Sequence, residues 1–258
     1  MKFIDSHAHL QDPRLHAQLP DLLERSSAAG IDAIVCCGCR ESDWEAVAEL
    51  SLNHSSIIPF FGLHPWYLNE LSDQWSENLK GYLTRFPSAG VGEIGVDGKS
   101  EAASPEVQAE LFSMQLEIAS DLGRPVSIHC LKSWQQLLYC LEADSLEKPR
   151  FMIHAFSGAP EMVKTLSAMG AYFSFGAALT FNNAKRARTA LVKVPADRLL
   201  FETDSPDMLP AGKSGEMNEP AFMTETVSAA ARILGESADT LAERVYENSR
   251  TFFGLKNE

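Results

Sequence analysis

Several features are scarce or absent in this chain of 258 residues, and each absence narrows the class of protein. No apolar run approaches the ~20 residues that a membrane-spanning helix needs. The N-terminus has no basic and apolar leader, since Asp5 and His7 interrupt its first apolar run. Cys36 and Cys39 lack the second cysteine pair of a four-cysteine zinc site, and they lie in a buried, strand-like run. We therefore expect a cytoplasmic protein with reduced cysteines and without membrane association.

Positively charged residues are also few. Lys and Arg together number 22 against 35 Asp and Glu, which gives a formal net charge of −13. Tight binding along duplex DNA requires a broad basic surface, so the net charge argues against this mode of binding. A nucleic-acid substrate would have to be held locally, for example through metal ions.

Short apolar runs alternate with amphipathic, helix-length segments along the whole chain. The longest helical pattern covers 105–122, with apolar residues at a period of 3.6. Eight strands that alternate with helices over about 250 residues predict a (β/α)₈ TIM barrel, in one domain over 1–258. A doubly wound sheet is the rival, but a Gly-rich loop normally follows its first strand. The eight predicted strands are 2–9, 31–38, 57–63, 89–96, 125–129, 150–155, 171–176 and 198–203.

Metal-ligand residue types recur where the predicted strands end. His7 and His9 close the first strand, and side chains two residues apart point to the same face of a strand. One histidine or carboxylate after a strand is usually an ordinary hydrogen-bonded loop residue. Recurrence at the ends of several barrel strands, which share one face, instead predicts a site for Zn²⁺, Mn²⁺ or a similar ion. The later residues of this kind are His64, Glu93, His129, His154 and Asp204.

The chain resembles the TatD family of metal-dependent deoxyribonucleases, which have amidohydrolase-like barrels. The resemblance covers nearly the whole length. The motifs that carry it are Asp5-Ser6-His7-Ala8-His9-Leu10, Gly62-Leu63-His64-Pro65, Gly92-Glu93-Ile94-Gly95, Arg124-Pro125-Val126-Ser127-Ile128-His129-Cys130, Ile153-His154-Ala155-Phe156-Ser157-Gly158, Glu202-Thr203-Asp204-Ser205-Pro206 and Asn218-Glu219-Pro220.

The resemblance implies a centre of two divalent ions, which could be Zn²⁺, Mg²⁺ or Mn²⁺. Two such cations activate a water for attack on an ester bond. The implied ligands are His7, His9 and Asp204 for one ion and His129 and His154 for the other, with Glu93 as the bridge and both carboxylates counted as catalytic.

Further roles follow from the same resemblance. Asp204 would also take a proton from the attacking water, and His64 would contact a substrate phosphate. Family members often carry arginines after the fourth and fifth strands, where this chain has Lys99 and Lys132. We expect both lysines to contact the substrate as point charges, without the bidentate geometry of arginine.

Three functions remain open from the sequence. The leading one is hydrolysis of phosphodiester bonds in single-stranded DNA or at DNA ends, in a 3′–5′ exonuclease mode. The second is hydrolysis of an ester or amide, such as an aminoacyl ester or a cyclic amide, which the acidic charge and the missing arginines favour. A metal-dependent binding module ranks last, because it leaves open coordination positions unexplained. No obligate protein partner is expected.

Overall fold

The computed structural model describes residues 1–142 and 148–255, and within them strands and helices alternate from end to end. The strands are β1 (Phe3–Ala8), β2 (Ile31–Cys37), β3 (Ile57–Phe61), β4 (Gly90–Asp97), β5 (Val126–Leu131), β6 (Phe151–Ile153), β7 (Tyr172–Phe175) and β8 (Leu199–Phe201). The α-helices are α1 (Leu19–Ala28), α2 (Glu41–Asn53), α3 (Trp75–Arg85), α4 (Pro105–Asp121), α5 (Trp134–Glu142), α6 (Pro160–Ala168), α7 (Lys185–Leu191), α8 (Met223–Leu234) and α9 (Ala238–Phe253). Short 3₁₀ helices cover Pro13–Gln18, Ala177–Thr180, Ala196–Arg198 and Pro220–Phe222.

The strands form one eight-stranded sheet in chain order, from β1 to β8. The pairs β3–β4, β4–β5, β5–β6 and β7–β8 are parallel. The order and the intervening helices are those of a (β/α)₈ barrel, which confirms the fold predicted from the sequence. The chain divides into two compact units, Met1–Val35 with His154–Glu258 and Cys36–Ile153.

The larger unit holds β1, β7 and β8 with their helices. Its strands are buried over their whole length, although β1 carries the polar residues Asp5, Ser6 and His7. Phe156 and Phe173 pack edge to face in its core, with ring centroids 5.1 Å apart. Ser6 Oγ donates to the Phe201 carbonyl at 2.8 Å, so β1 lies beside β8. The ends of these two strands are therefore brought together.

The unit Cys36–Ile153 holds β3 to β6. All eight residues of β4 are buried, including Glu93 and Asp97. Trp44 of α2 is fully buried, and its Nε1 donates to the Gly62 carbonyl just after β3. There is no room for a side chain at Gly62, because a Cβ atom there would lie 2.7 Å from the Gly92 carbonyl carbon. Backbone packing at this point thus holds the ends of β3 and β4 close to each other.

The predicted element boundaries agree closely with the structure. Pro105 and Pro160 begin α4 and α6, because a first-turn proline loses no helical hydrogen bond. Cys36 and Cys37 are buried in β2, and none of the five cysteines, all of them among the described residues, forms a disulfide. Across the described residues, 1–142 and 148–255, no helix combines the length and the apolar character needed to cross a membrane. The prediction of one domain over 1–258 stays a prediction.

Candidate metal centre

Two histidines and a carboxylate converge where β1 and β8 end, and we call His7, His9 and Asp204 the Asp204 cluster. His7 Nε2 lies 3.2 Å from His9 Nε2. Asp204 Oδ1 lies 3.9 Å from His7 Nε2 and 3.5 Å from His9 Nε2. Burial acts to raise the pKa of Asp204, but the hydrogen bond with His9 and the nearby histidine rings outweigh it and lower that pKa.

Backbone contacts fix the Asp204 cluster. Asp204 N donates to the His7 carbonyl at 2.9 Å, which joins the two strand ends directly. Asp5, fully buried in β1, accepts hydrogen bonds from Thr203 N at 2.9 Å and from the Thr203 hydroxyl. Burial raises the pKa of Asp5 to about 8, although those hydrogen bonds act to lower it. Asn218 Nδ2 donates to the Thr203 carbonyl at 2.7 Å, so the Asn-Glu-Pro motif holds the segment that carries Asp204.

His154, just after β6, is placed against this cluster. Its ring stacks on that of His7, with centroids 4.0 Å apart and planes at 15°. Its Nδ1 lies 3.5 Å from Oε1 of the buried Glu202, which also accepts a hydrogen bond from Ala155 N at 2.6 Å. A carboxylate on one ring nitrogen of a ligating histidine fixes its tautomer and orientation. Glu202 is thus placed to orient His154.

A second group lies in the unit Cys36–Ile153, and we call His64, Glu93 and His129 the Glu93 cluster. Glu93 Oε1 lies 3.0 Å from His129 Nδ1 and 3.4 Å from His64 Nε2. Glu93 and His64 are 3% and 4% exposed, and His129 is half-buried. Buried carboxylates are rare without polar partners, and both rings lie within contact distance of Glu93.

Asp97, at the end of β4, supports His129 from its other side. Asp97 Oδ2 accepts from His129 Nε2 at 3.2 Å and from Trp66 Nε1 at 2.6 Å, and Oδ1 accepts from Lys99 N at 2.7 Å. Burial acts to raise the pKa of Asp97, but these donors lower it to about 2. An ionised Asp97 keeps a proton on His129 Nε2, which leaves Nδ1 to face Glu93.

Two buried glutamines of α4 hold the backbone on either side of the Glu93 cluster. Gln115 Oε1 accepts from Leu63 N at 2.8 Å, and its Nε2 donates back to the Leu63 carbonyl. Gln108 Oε1 accepts from Asp97 N at 2.8 Å, and its Nε2 donates to the Asp97 carbonyl. Each side-chain amide thus replaces a missing strand neighbour, in one case for Leu63, which precedes His64, and in the other for Asp97, which ends β4.

The predicted substrate lysines lie on touching loops after β4 and β5. Gly98 N donates to the Leu131 carbonyl at 2.8 Å, and both Lys99 and Lys132 are exposed. Lys132 has a φ of +54°, a left-handed conformation that is uncommon for a residue with a side chain. Ala155 and Asp204, after β6 and β8, have φ of +42° and +59°. Such strain is concentrated at functional sites, where surrounding contacts sustain it.

The donor chemistry of both clusters fits a divalent cation. Ligands at 2.0–2.1 Å in a tetrahedral site are about 3.3 Å from one another. Separations within the two clusters range from 3.0 to 3.9 Å. In each cluster the three ligand atoms lie within 4.8 Å of one another. Imidazole and carboxylate together suit Zn²⁺, Mn²⁺ and similar ions, so the residues present fit the metal that the sequence predicts.

The predicted ligands are thus found at strand ends in two groups. His64, predicted to contact a phosphate, is buried with its Nε2 towards Glu93, and its role remains a prediction. Sequence reasoning missed Asp97, Glu202 and Trp66. Asp97 and Glu202 could have been found from their position at the end of an apolar strand. An acidic side chain that is buried there needs hydrogen-bond partners.

Comparison with known proteins gives a consistent family pattern. The family model described as TatD related DNase matches residues 4–254. The crystal structure of YjjV, a TatD homolog from Escherichia coli K12, superposes with a TM-score of 0.92, at 29% identity and 98% coverage of both chains. The 3′-5′ ssDNA/RNA exonuclease TatD of Escherichia fergusonii is 27% identical, covering 91% of this chain and 92% of its own. The uncharacterized metal-dependent hydrolase YabD of Bacillus subtilis is 26% identical, covering 97% and 98%.

Proposed function

Because the chain belongs to the TatD family of metal-dependent hydrolases, we propose that it is a deoxyribonuclease that removes nucleotides from the 3′ end of single-stranded DNA. The observation that supports this most is the pair of largely enclosed histidine–carboxylate clusters at the strand ends, each with at least one buried member. In a (β/α)₈ barrel these ends share the face on which active sites are built. The named activity of the Escherichia fergusonii relative supports the choice of substrate.

We propose two divalent ions, with His7, His9 and Asp204 holding one, His129 and His154 the other, and Glu93 bridging both. Ions in such a site polarise a phosphoryl oxygen and lower the pKa of a bound water. Asp97 accepts from His129 Nε2 and so favours the tautomer in which Nδ1 binds a metal, and Glu202 lies 3.5 Å from His154 Nδ1.

Proton transfer falls to Asp204 in this proposal. Its pKa is lowered, so the carboxylate is ionised at neutral pH and able to accept a proton at Oδ1 or Oδ2. The left-handed backbone at Asp204 and its N–H bond to the His7 carbonyl hold this group in one orientation. Asp204 therefore has both the charge and the fixed position of a general base.

Substrate binding rests on local charges. With a net charge of −13, the protein as a whole repels a polyanion. Lys99 and Lys132, exposed on adjacent loops, are the proposed contacts to flanking phosphates, with His64 closer to the metal ligands. Such a site accommodates a single strand, whose backbone bends easily, better than a duplex.

The test uses protein stripped of metal and reloaded with Mg²⁺, Mn²⁺ or Zn²⁺. A single-stranded oligonucleotide labelled at its 5′ end should shorten in one-nucleotide steps, and the matched duplex should be cut more slowly. A panel of aminoacyl esters and cyclic amides is assayed in parallel. The acidic charge favours an uncharged ester or amide as the second candidate, and turnover of those compounds without cleavage of any nucleic acid would establish it instead.

The number of ions is tested separately. Titration of metal-free protein should saturate at two divalent ions, and Glu93→Gln should weaken both, since a bridging carboxylate contacts each ion. Saturation at one ion that Glu93→Gln leaves unchanged would contradict the two-ion arrangement. The cytoplasmic location and the single domain over 1–258 are proposed on the sequence reasoning alone.

A further inference from the structure

A large aromatic side chain beside the Glu93 cluster is exposed. Trp66 lies two residues after His64, in the segment that follows β3, and is 53% exposed. Its indole ring packs edge to face against the rings of His64 and His129, with centroid distances of 4.9 and 6.3 Å. An exposed tryptophan thus stands next to residues that hold the proposed scissile phosphodiester.

Trp66 is held in one orientation. Its Nε1 donates to Asp97 Oδ2 at 2.6 Å, and its backbone N donates to His64 Nδ1 at 3.1 Å. These two contacts fix both the backbone and the far edge of the indole. A rigid aromatic surface loses little conformational entropy when a ligand covers it.

The hydrogen bond to Asp97 does not by itself explain why residue 66 is a tryptophan. Asp97 also accepts from His129 and from Lys99 N, and a smaller donor would complete its hydrogen bonds without leaving about half of a large aromatic ring in water. A planar π surface of this size suits another planar π system. Nucleobases stack on aromatic side chains with about 1–3 kcal/mol per base and little regard to sequence.

We propose that Trp66 stacks on a nucleobase adjacent to the phosphodiester that is cleaved. This inference rests on the proposed deoxyribonuclease function and specifies how the substrate is recognised. Stacking supplies an attraction that does not depend on charge, so it adds to binding despite the net charge of −13. It also selects single strands, since a base paired within a duplex does not present its face.

The experiment compares a single-stranded oligonucleotide with the same strand carrying one abasic tetrahydrofuran nucleotide near its 3′ end. Trp66→Ala should lower kcat/KM on the normal strand about tenfold, and on the abasic strand less than twofold. Trp66→Phe keeps an aromatic face but loses the N–H donor, so it should retain most of the preference for the normal strand. Tyr139→Ala, which removes an aromatic residue that is 78% exposed on α5, is the matched control and should change neither rate.

A binding assay separates this inference from the proposed function. The abasic strand and a normal strand with 2-aminopurine at the same position are bound in Ca²⁺, so that affinity, and quenching of the 2-aminopurine, are measured without turnover. If the wild-type protein binds the normal strand more tightly than Trp66→Ala does, and quenches its fluorescence more strongly, stacking is supported. This holds even if no metal gives cleavage, in which case only the nuclease proposal fails. Cleavage or binding by the wild type that does not distinguish normal from abasic strands overturns stacking and leaves the nuclease proposal standing. The wild-type comparison is decisive by itself if Trp66→Ala does not fold.

Discussion

Replacing Asp97 with asparagine tests whether the carboxylate behind His129 controls the metal site. Asp97 accepts hydrogen bonds from three donors, namely His129 Nε2, Trp66 Nε1 and Lys99 N. An amide of the same shape has only one accepting oxygen, and its NH₂ group is itself a donor. At least one of the three donors must therefore lose its partner or face another donor in a buried space.

The size of the effect follows from those contacts. A hydrogen bond to a charged group contributes about 1.5–3 kcal/mol, and each ~1.4 kcal/mol is a tenfold change in affinity. We therefore expect Asp97→Asn to weaken metal binding and turnover by roughly tenfold to a hundredfold. This range matches the effect of removing groups that orient metal ligands in other proteins.

The assay measures metal affinity by competition with a chelating dye, and turnover in saturating metal. Circular dichroism and thermal unfolding establish that the variant is folded. Asp121→Asn makes the same chemical change at an exposed residue at the end of α4 and should leave both quantities unchanged. A folded Asp97→Asn protein with metal affinity and turnover within twofold of wild type would refute the assigned role.

Further predictions concern the proposed general base Asp204, the apolar core and the binding of DNA. Asp204→Asn should nearly abolish turnover without loss of fold, because it removes a proton acceptor and an anionic ligand, while His16→Ala and His54→Ala should have little effect in the same kinetic assay. Phe173→Ala should lower the free energy of unfolding by about 3–5 kcal/mol in urea titrations, because the ring is fully buried. A loss below about 1 kcal/mol would show that the surrounding core collapses to fill the cavity. Binding of single-stranded DNA should be weak with a shallow salt dependence, since few phosphates are neutralised, and a steep dependence on a duplex would contradict this.

The fold was accessible from the sequence because its signals are local. Alternation of short apolar runs with helical periodicity predicts the strands within about two residues, and Pro105 begins α4 as expected. The predicted sixth strand, 150–155, is longer than β6, which ends at Ile153. The left-handed backbone of Ala155 and its N–H bond to Glu202 turn the chain out of the sheet, and neither has a signature in the local sequence.

The histidine and carboxylate ligand types were also predictable, since each ends an apolar run. Their supporting groups were not, because those contacts join distant residues. Trp66 and Asp97 are 31 residues apart, and Asp97 and His129 are 32 apart. No spacing rule relates residues on separate strands until the strand register is known, and the register is set by packing across the sheet.

The two glutamines of α4 make the length of this helix a part of the site. Gln108 and Gln115 are seven residues apart, which corresponds to about 10.5 Å along a helix. This distance sets the spacing between the end of β3 and the end of β4. The helix α4 therefore determines how far apart the segments of His64 and Asp97 lie. One residue inserted between the glutamines would rotate the second by about 100° and release Leu63 from its amide. Changes of length in this stretch should therefore impair the site even where every ligand is retained.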